Sequence, residues 1–300
     1  MRPTRITRTV VVLVIGGFFG TAVFAEPNDG DFRSKQGGSW GSIATWQRYN
    51  AKDALLGGPG WQNAITIPGV GHLATIREGH SVFTSGASRN IGTLIIEDSN
   101  ATPGKLEIRS TGASGLQSVT VTFALQMENT LTNPGEVFFT DGGLAGTVGK
   151  LIAAGNITVS GKVYCQAPVR GGSVETFGSA VLTVAPMAVI EAPSGPLALT
   201  GNVEMDGTVR ANGAYALTVG GALRIGSSGN WVVSHSSGTL RFNTTNPLTI
   251  DCSVGYILIQ AGTFDVDQTF TFSGGLRQTG GAIDVAVGKT LTVTGRYLGN

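Results

Sequence analysis

Charge is scarce in this sequence. Asp, Glu, Lys and Arg make up 13% of its 300 residues, against a usual share of about 25%. The 20 basic residues are nearly balanced by 19 acidic ones, so there is no basic field for nucleic acid and no polybasic patch for a membrane surface. Histidine occurs at His72, His80 and His235 alone, too few and too dispersed for a zinc site. No stretch of ten or more residues carries a capped helical stripe, and no apolar run after the N-terminus is long enough to span a bilayer. Disorder does not follow from the low charge, because 41% of the chain is hydrophobic and disordered chains combine low hydrophobicity with high charge.

Residues 1–25 read as an export signal. Arg2, Arg5 and Arg8 precede the apolar core "TVVVLVIGGFFGTAVFA", and Val23 and Ala25 occupy the small-residue positions before a cut ahead of Glu26. The alternative is an uncleaved anchor. It has 17 residues between Arg8 and Glu26, with Gly16-Gly17 inside, where a spanning helix needs about 20. Cleavage removes three basic residues, moves the net charge from +1 to −2 and sends a chain with no transmembrane segment to the cell surface or medium.

Glycine is abundant, 46 residues of 300, and it punctuates short runs such as "TLIIE", "KLEIRS", "VTVTFAL", "LTVGGALRI" and "TLTVTG" from residue 69 onward. These runs alternate apolar and polar residues with period two, the pattern of strands. Many short strands suit a sandwich, a barrel or a solenoid, and self-similarity favours the last. Units beginning at Leu182, Leu197, Leu217, Leu240 and Ile257 are 15, 20, 23 and 17 residues apart, with an offset set at Leu223, Leu248, Phe264 and Phe270. A period near 20 predicts an all-β fold, a right-handed parallel β-helix (β-solenoid) of roughly 11 coils over residues 69–300. In "NVEMDGTVRA", Val203, Met205, Val209 and Ala211 are expected to point inward and Glu204 and Arg210 outward. Gly207, Gly213, Gly220 and Gly221 are expected to supply corner geometry. Cys165 and Cys252 lie 87 residues apart, roughly 20 Å along such a stack. That is beyond the roughly 7 Å a disulfide spans, so both read as buried apolar residues.

Residues 26–68 differ in composition, holding Trp40, Trp46 and Trp61. A solenoid's first coil exposes unpaired backbone groups and needs a terminal cap, and this Trp-rich segment is predicted to be one. The alternative role for the three rings is glycan stacking. The pieces "GDFRSKQGGSWGSIATWQRY" (30–49), "IPGVGHLATIREGHSV" (67–82) and "IGTLIIEDSNATPGKLEIRS" (91–110) resemble the opening module of bacterial secreted β-solenoid surface proteins. More loosely, they resemble the domain named for its eight conserved glycines. His72 stands where that pattern carries Asp. The resemblance covers about the first third of the chain and implies fold and export, with no assigned activity.

Chemistry-bearing motifs are missing. There is no Asp-Asp, Gly-His-Gly or Arg-Ile-Lys of the pectin-degrading β-helix enzymes, no calcium nonapeptide array and no G-x-S-x-G elbow. "GGLAGTVGK" (142–150) imitates a phosphate loop but carries Leu144 where glycine belongs and Leu151 where Ser or Thr belongs. Of the paired carboxylates Glu97-Asp98 and Asp265-Val266-Asp267, the second is the better placed to share an outer face, a weak calcium candidate since calcium takes six to eight oxygens. No cofactor is otherwise expected.

The expected role is therefore a secreted or cell-surface structural or adhesive protein without catalysis, contacting matrix, cell surface or polysaccharide. The alternatives are a carbohydrate-active enzyme (lyase or glycoside hydrolase) with a diverged site on one face, and a passenger of a larger assembly. "KTLTVTGRYLGN" ends in strand pattern, so that end is a fragment boundary, is closed by its own last loop, or docks another protein.

Overall fold

The computed structural model describes residues 27–84, 87–110, 118–141, 149–154, 157–167, 172–176, 180–186, 188–200, 202–205, 207–220, 223–225, 230–233, 239–242, 249–250, 256–261, 263–266, 269–272 and 275–299. The leader, Asp267 and Cys252 lie outside them. The chain is all-β, with parallel sheets throughout apart from an antiparallel extension near the N-terminus.

Three parallel ladders organise it. The first runs from Leu73–Ile76 through Arg89–Ile96 to Ser118–Met127. There it divides. The front of Ser118–Met127 continues into Gly149–Ala153, Gly172–Thr176, Leu197–Thr200, Ala216–Gly220, Thr239–Phe242, Thr263–Val266 and Ala282–Val285. Its rear starts the second ladder at Ile157–Val159, which proceeds through Val181–Val184, Asn202–Met205 and Leu223–Ile225 to Thr249–Ile250. The division coincides with a bulge in Ser118–Met127 itself, where Val121 and Ala124, two residues between them, pair with Ile91 and Thr93, one residue between them. A bulge bends its strand, and a bent long strand is what two shorter strands meeting at a corner replace.

The third ladder has 11 strands, from Gly38–Ser39 to Tyr297–Gly299. Its register puts Val82, Leu106, Val137, Val163, Ile190 and Val209 in one column, all fully buried. Each side chain contributes about 1.5–3 kcal/mol by leaving water, and each depends on the strands above and below to do so. Cys165 follows Ile108 and Phe139 in the neighbouring column and is fully buried. Val209 and Ala211 point inward as expected.

The repeat length is not constant. Lys105 pairs with Glu136, 31 residues on, whereas Val189 pairs with Thr208 and Tyr256 with Gly275, each 19 on. Strand register is fixed by the core, while connecting segments are free to vary.

Glycine works differently from expectation at the corners. Gly207 and Gly213 do not have positive φ. They are required because the backbone passes the preceding turn of chain too closely for a side chain. Gly104, Gly135 and Gly161 stand immediately before successive strands of the third ladder, and an added Cβ would fall within 3.0 Å of the carbonyl oxygens of Ile76, Ile96 and Gly135 respectively.

Strand pairing crosses residue 68. Phe32–Ser34 lies parallel to Leu73–Ile76, and Gly38–Ser39 lies parallel to Ser81–Phe83. Outside Phe32–Ser34, Trp46–Tyr49 and Trp61–Asn63 extend the sheet antiparallel. Trp40 and Trp46 are fully buried, with ring centres 5.1 Å apart and edge to face. The Trp46 indole donates to the Trp40 carbonyl at 2.9 Å, and the Trp40 indole faces the Pro68 carbonyl at 3.4 Å. The helix Ala51–Leu55 between the antiparallel strands is a single short turn, capped by Asn50, whose side chain accepts from the Lys52 and Asp53 amides.

Candidate functional site

Among the described residues, a cluster of charged and aromatic side chains lies on the outer face of the third ladder. Lys105–Ser110, Glu136–Asp141 and Lys162–Gln166 pair in register, so Lys105, Glu136 and Lys162 form one outward column. Glu107, Phe138, Tyr164, Glu191 and Arg210 form the next. Strand alternation makes both columns: the residues between them face the core.

Each carboxylate in this cluster is engaged by a neighbouring strand or its own. Glu136 accepts from Lys105 at 2.9 Å and from the Tyr164 hydroxyl at 3.0 Å. Glu191 pairs with Lys162 at 2.6 Å and accepts from Asn212 at 2.9 Å. Glu107 takes a two-pronged contact from Arg109, 2.8 and 2.9 Å, and a bond from Thr140 at 2.7 Å. The rings join in. Phe138 and Tyr164 stack at 5.3 Å with 7° between planes, Arg109 sits 3.6 Å above Phe83, and Lys162 lies 4.7 Å from the Tyr164 ring.

This arrangement suits holding strands together better than acid–base chemistry. Glycoside hydrolysis needs one carboxyl to protonate a leaving group and another to face the sugar, whereas these carboxylates are spent on cations. Burial pushes the Tyr164 hydroxyl well above its ordinary range, with Glu136 adding to the effect, so it is held as a neutral donor.

The sequence-selected residues fall elsewhere. Asp265 is half-buried between Phe264 and Val266, both fully buried, and stands in register with Asp284 on one side and Arg241 on the other. Asp267 lies outside the described residues. Among those described, no three His, Cys, Asp or Glu side chains gather as metal ligands. Trp40 and Trp46 offer no exposed face to a sugar. Trp61 is half-buried, with Arg33 4.3 Å from its ring centre and Tyr49 edge-on at 5.2 Å. His80 Nδ1 lies 2.8 Å from Ser34 Oγ, which itself accepts from the Arg77 amide. Burial first, then Arg77, lowers the imidazole's pKa. His72 Nδ1 accepts from the Gly69 amide at 3.1 Å. Both histidines tie turns together.

Sequence reasoning overlooked the third-ladder cluster. Its signal was present in the aligned strands "KLEIR", "EVFFT" and "KVYCQ", whose leading residues alternate in charge.

Glu128 is a carboxyl displaced toward its neutral form. Burial pushes its carboxyl up to about 7; a bond from the Asp98 backbone opposes this, and the Asp98 and Glu97 charges add to it. Its Oε1 is enclosed without a hydrogen-bond partner among the described residues. A folded pKa above the unfolded 4.5 means the folded state holds the extra proton between pH 4.5 and 7. Stability therefore falls as pH rises through that window and is level above it. The side chain is only half-buried, so solvent screening reduces the loss to about 1 kcal/mol. Glu128→Gln is expected to match the wild type in urea unfolding at pH 4 and to exceed it by about that amount at pH 8. Equal differences at the two pH values would refute this.

No helix among the described residues is long and apolar enough to cross a membrane. Compared with protein-family models, with curated proteins and with solved structures, the chain matches none.

Proposed function

We propose that this protein is an exported right-handed β-solenoid whose role is structural or adhesive: a rigid element at the cell surface or in the medium whose outer faces contact matrix or glycan. One observation carries the reading. On the outer face of the third ladder the carboxylates bridge successive strands and so act as fasteners. Three ladders advancing together along one chain, with a common aliphatic core, support the solenoid assignment. The leader sequence supports export. The first ladder adds a shallow groove of about 320 Å³ floored by Ser173, Ala198 and Thr218 in register. It holds small residues and the Lys150–Glu175 pair at 2.7 Å, a surface for contact with no acid–base couple.

The test is co-sedimentation of purified protein with a panel of insoluble polysaccharides, with and without calcium, scoring both protein in the pellet and sugar released. The expected outcome is retention without release, unchanged by calcium. Soluble oligosaccharide appearing with time would overturn the reading in favour of a carbohydrate-active enzyme.

A further inference from the structure

A second concavity, of about 290 Å³, lies at the antiparallel extension. Its size is at the small end of ligand sites, which run from about 300 to 1,000 Å³, with room for about one sugar ring. It is lined by Asp29, Arg48, Tyr49, Asn50, Gln62, Asn63 and Ile65. Arg48 and Gln62 are register partners, as are Tyr49 and Trp61. Trp46 turns one end of these strands into the core, but Arg48, Tyr49, Gln62 and Asn63 are not among the core residues and are left for the concavity.

The polarity of the lining can be worked out group by group. The Asn50 oxygen accepts two backbone amides, Lys52 at 3.1 Å and Asp53 at 3.2 Å. The Asn63 oxygen faces Lys35 Nζ at 3.0 Å, and an ammonium has no acceptor, so the carboxamide orientation is fixed. Both residues are left with NH2 groups, of which that of Asn50 makes only a long 3.5 Å contact to Gln62. Arg48 is exposed, and its guanidinium makes no ion pair or hydrogen bond with any described residue. The one acid, Asp29, accepts the Ala51 amide at 3.1 Å. The lining therefore presents the Arg48 cation and carboxamide donors together with one carboxylate, Asp29, beside the Tyr49 ring and the exposed Ile65. It calls for a ligand rich in acceptor oxygens, carrying one negative charge and an apolar face.

We propose that this cleft is a binding subsite for a carboxylate-bearing sugar, with Arg48 pairing the carboxylate, Asn50, Gln62 and Asn63 engaging hydroxyl oxygens, and Tyr49 and Ile65 meeting the ring's C–H face. A phosphate would draw on several cations or a nest of backbone amides, whereas one guanidinium among carboxamides matches a carboxylate on a ring of hydroxyls. The inference rests on the adhesive reading, naming one of its contacts.

The experiment is calorimetric titration of the full chain with cellotriose and with its C6-oxidised counterpart, which differ only in their carboxylates. The oxidised sugar is expected to bind, more weakly at 500 mM than at 50 mM salt, and at least 10-fold tighter than cellotriose. Arg48→Gln is expected to weaken it about 10-fold or more while leaving the melting temperature unchanged. Arg277→Gln, which removes the same charge at the far end of the third ladder, is expected to leave binding intact. No binding of the oxidised sugar, equal binding of the two sugars, or undiminished binding by Arg48→Gln would each overturn the subsite. If polysaccharide co-sedimentation persists in that event, the adhesive reading stands without it.

Discussion

Trp46→Ala is expected to destabilise the fold by about 3–5 kcal/mol and to lower the melting temperature by on the order of 10 °C. Among the residues whose burial is described, Trp46 and Trp40 are the largest fully buried side chains, and neither ring can be lost without a cavity. The damage goes beyond volume. The Trp40 carbonyl loses its indole donor, and an abandoned buried carbonyl costs a further ~1–3 kcal/mol of desolvation. Trp61→Ala is the control: its ring is half-buried beside Arg33 and Tyr49, and its loss is expected to cost about 1 kcal/mol. Differential scanning calorimetry of the two variants checks the contrast. Equal melting temperatures for Trp46→Ala and the wild type would show that the pair does not stabilise the core.

Gly161→Ala should be nearly as harmful despite adding one methyl group. The new Cβ would fall within 3.0 Å of the Gly135 carbonyl oxygen and press on the Met127 side chain. Neither backbone is free to retreat. Lys162 donates to that same Gly135 oxygen at 3.0 Å, and Val189 donates to the Gly161 oxygen at 3.1 Å. Overpacking of this kind costs about 1–3 kcal/mol, and here it also disturbs pairing on both sides of the ladder. Gly57→Ala separates this effect from backbone conformation. Gly57 has φ +85° but open space around its Cβ position, so alanine there pays only the left-handed penalty of about 1–2 kcal/mol. Urea unfolding is expected to rank Gly161→Ala below Gly57→Ala, and the reverse order would place the demand on φ.

Period-two alternation was enough to read an all-β chain and the inward-facing residues of many strands, since burial on one face imposes it directly. The ladder each strand joins was harder to read. Leu197, Leu217 and Leu240 are register partners, as their spacing suggested, and Phe264 continues that column. Leu182 and Ile257 belong to the second and third ladders. All five share one local pattern, because every ladder buries one apolar face, and nothing local distinguishes one face from another. The division of one ladder into two was equally hidden, because a long alternating run such as Ser118–Met127 looks the same whether one strand or two pair with it. The cleft at Arg48 escaped because its residues are unremarkable singly and meet only through the antiparallel return of Trp61–Asn63. The role of Gly161 escaped because close approach between segments 26 residues apart leaves no mark beyond the glycine itself.

The strands around the buried Trp40–Trp46 pair precede the rest of the ladders in the chain, and chains fold N-terminal parts first as they emerge. Each later strand then meets a finished edge of known register and needs only its predecessor to be in place, so the growing structure serves as the template for its own extension. Beyond Phe32–Ser34 the antiparallel return of Trp46–Tyr49 and Trp61–Asn63 takes the place of a further parallel strand on the first ladder, so that ladder is built outward from a return the chain supplies itself.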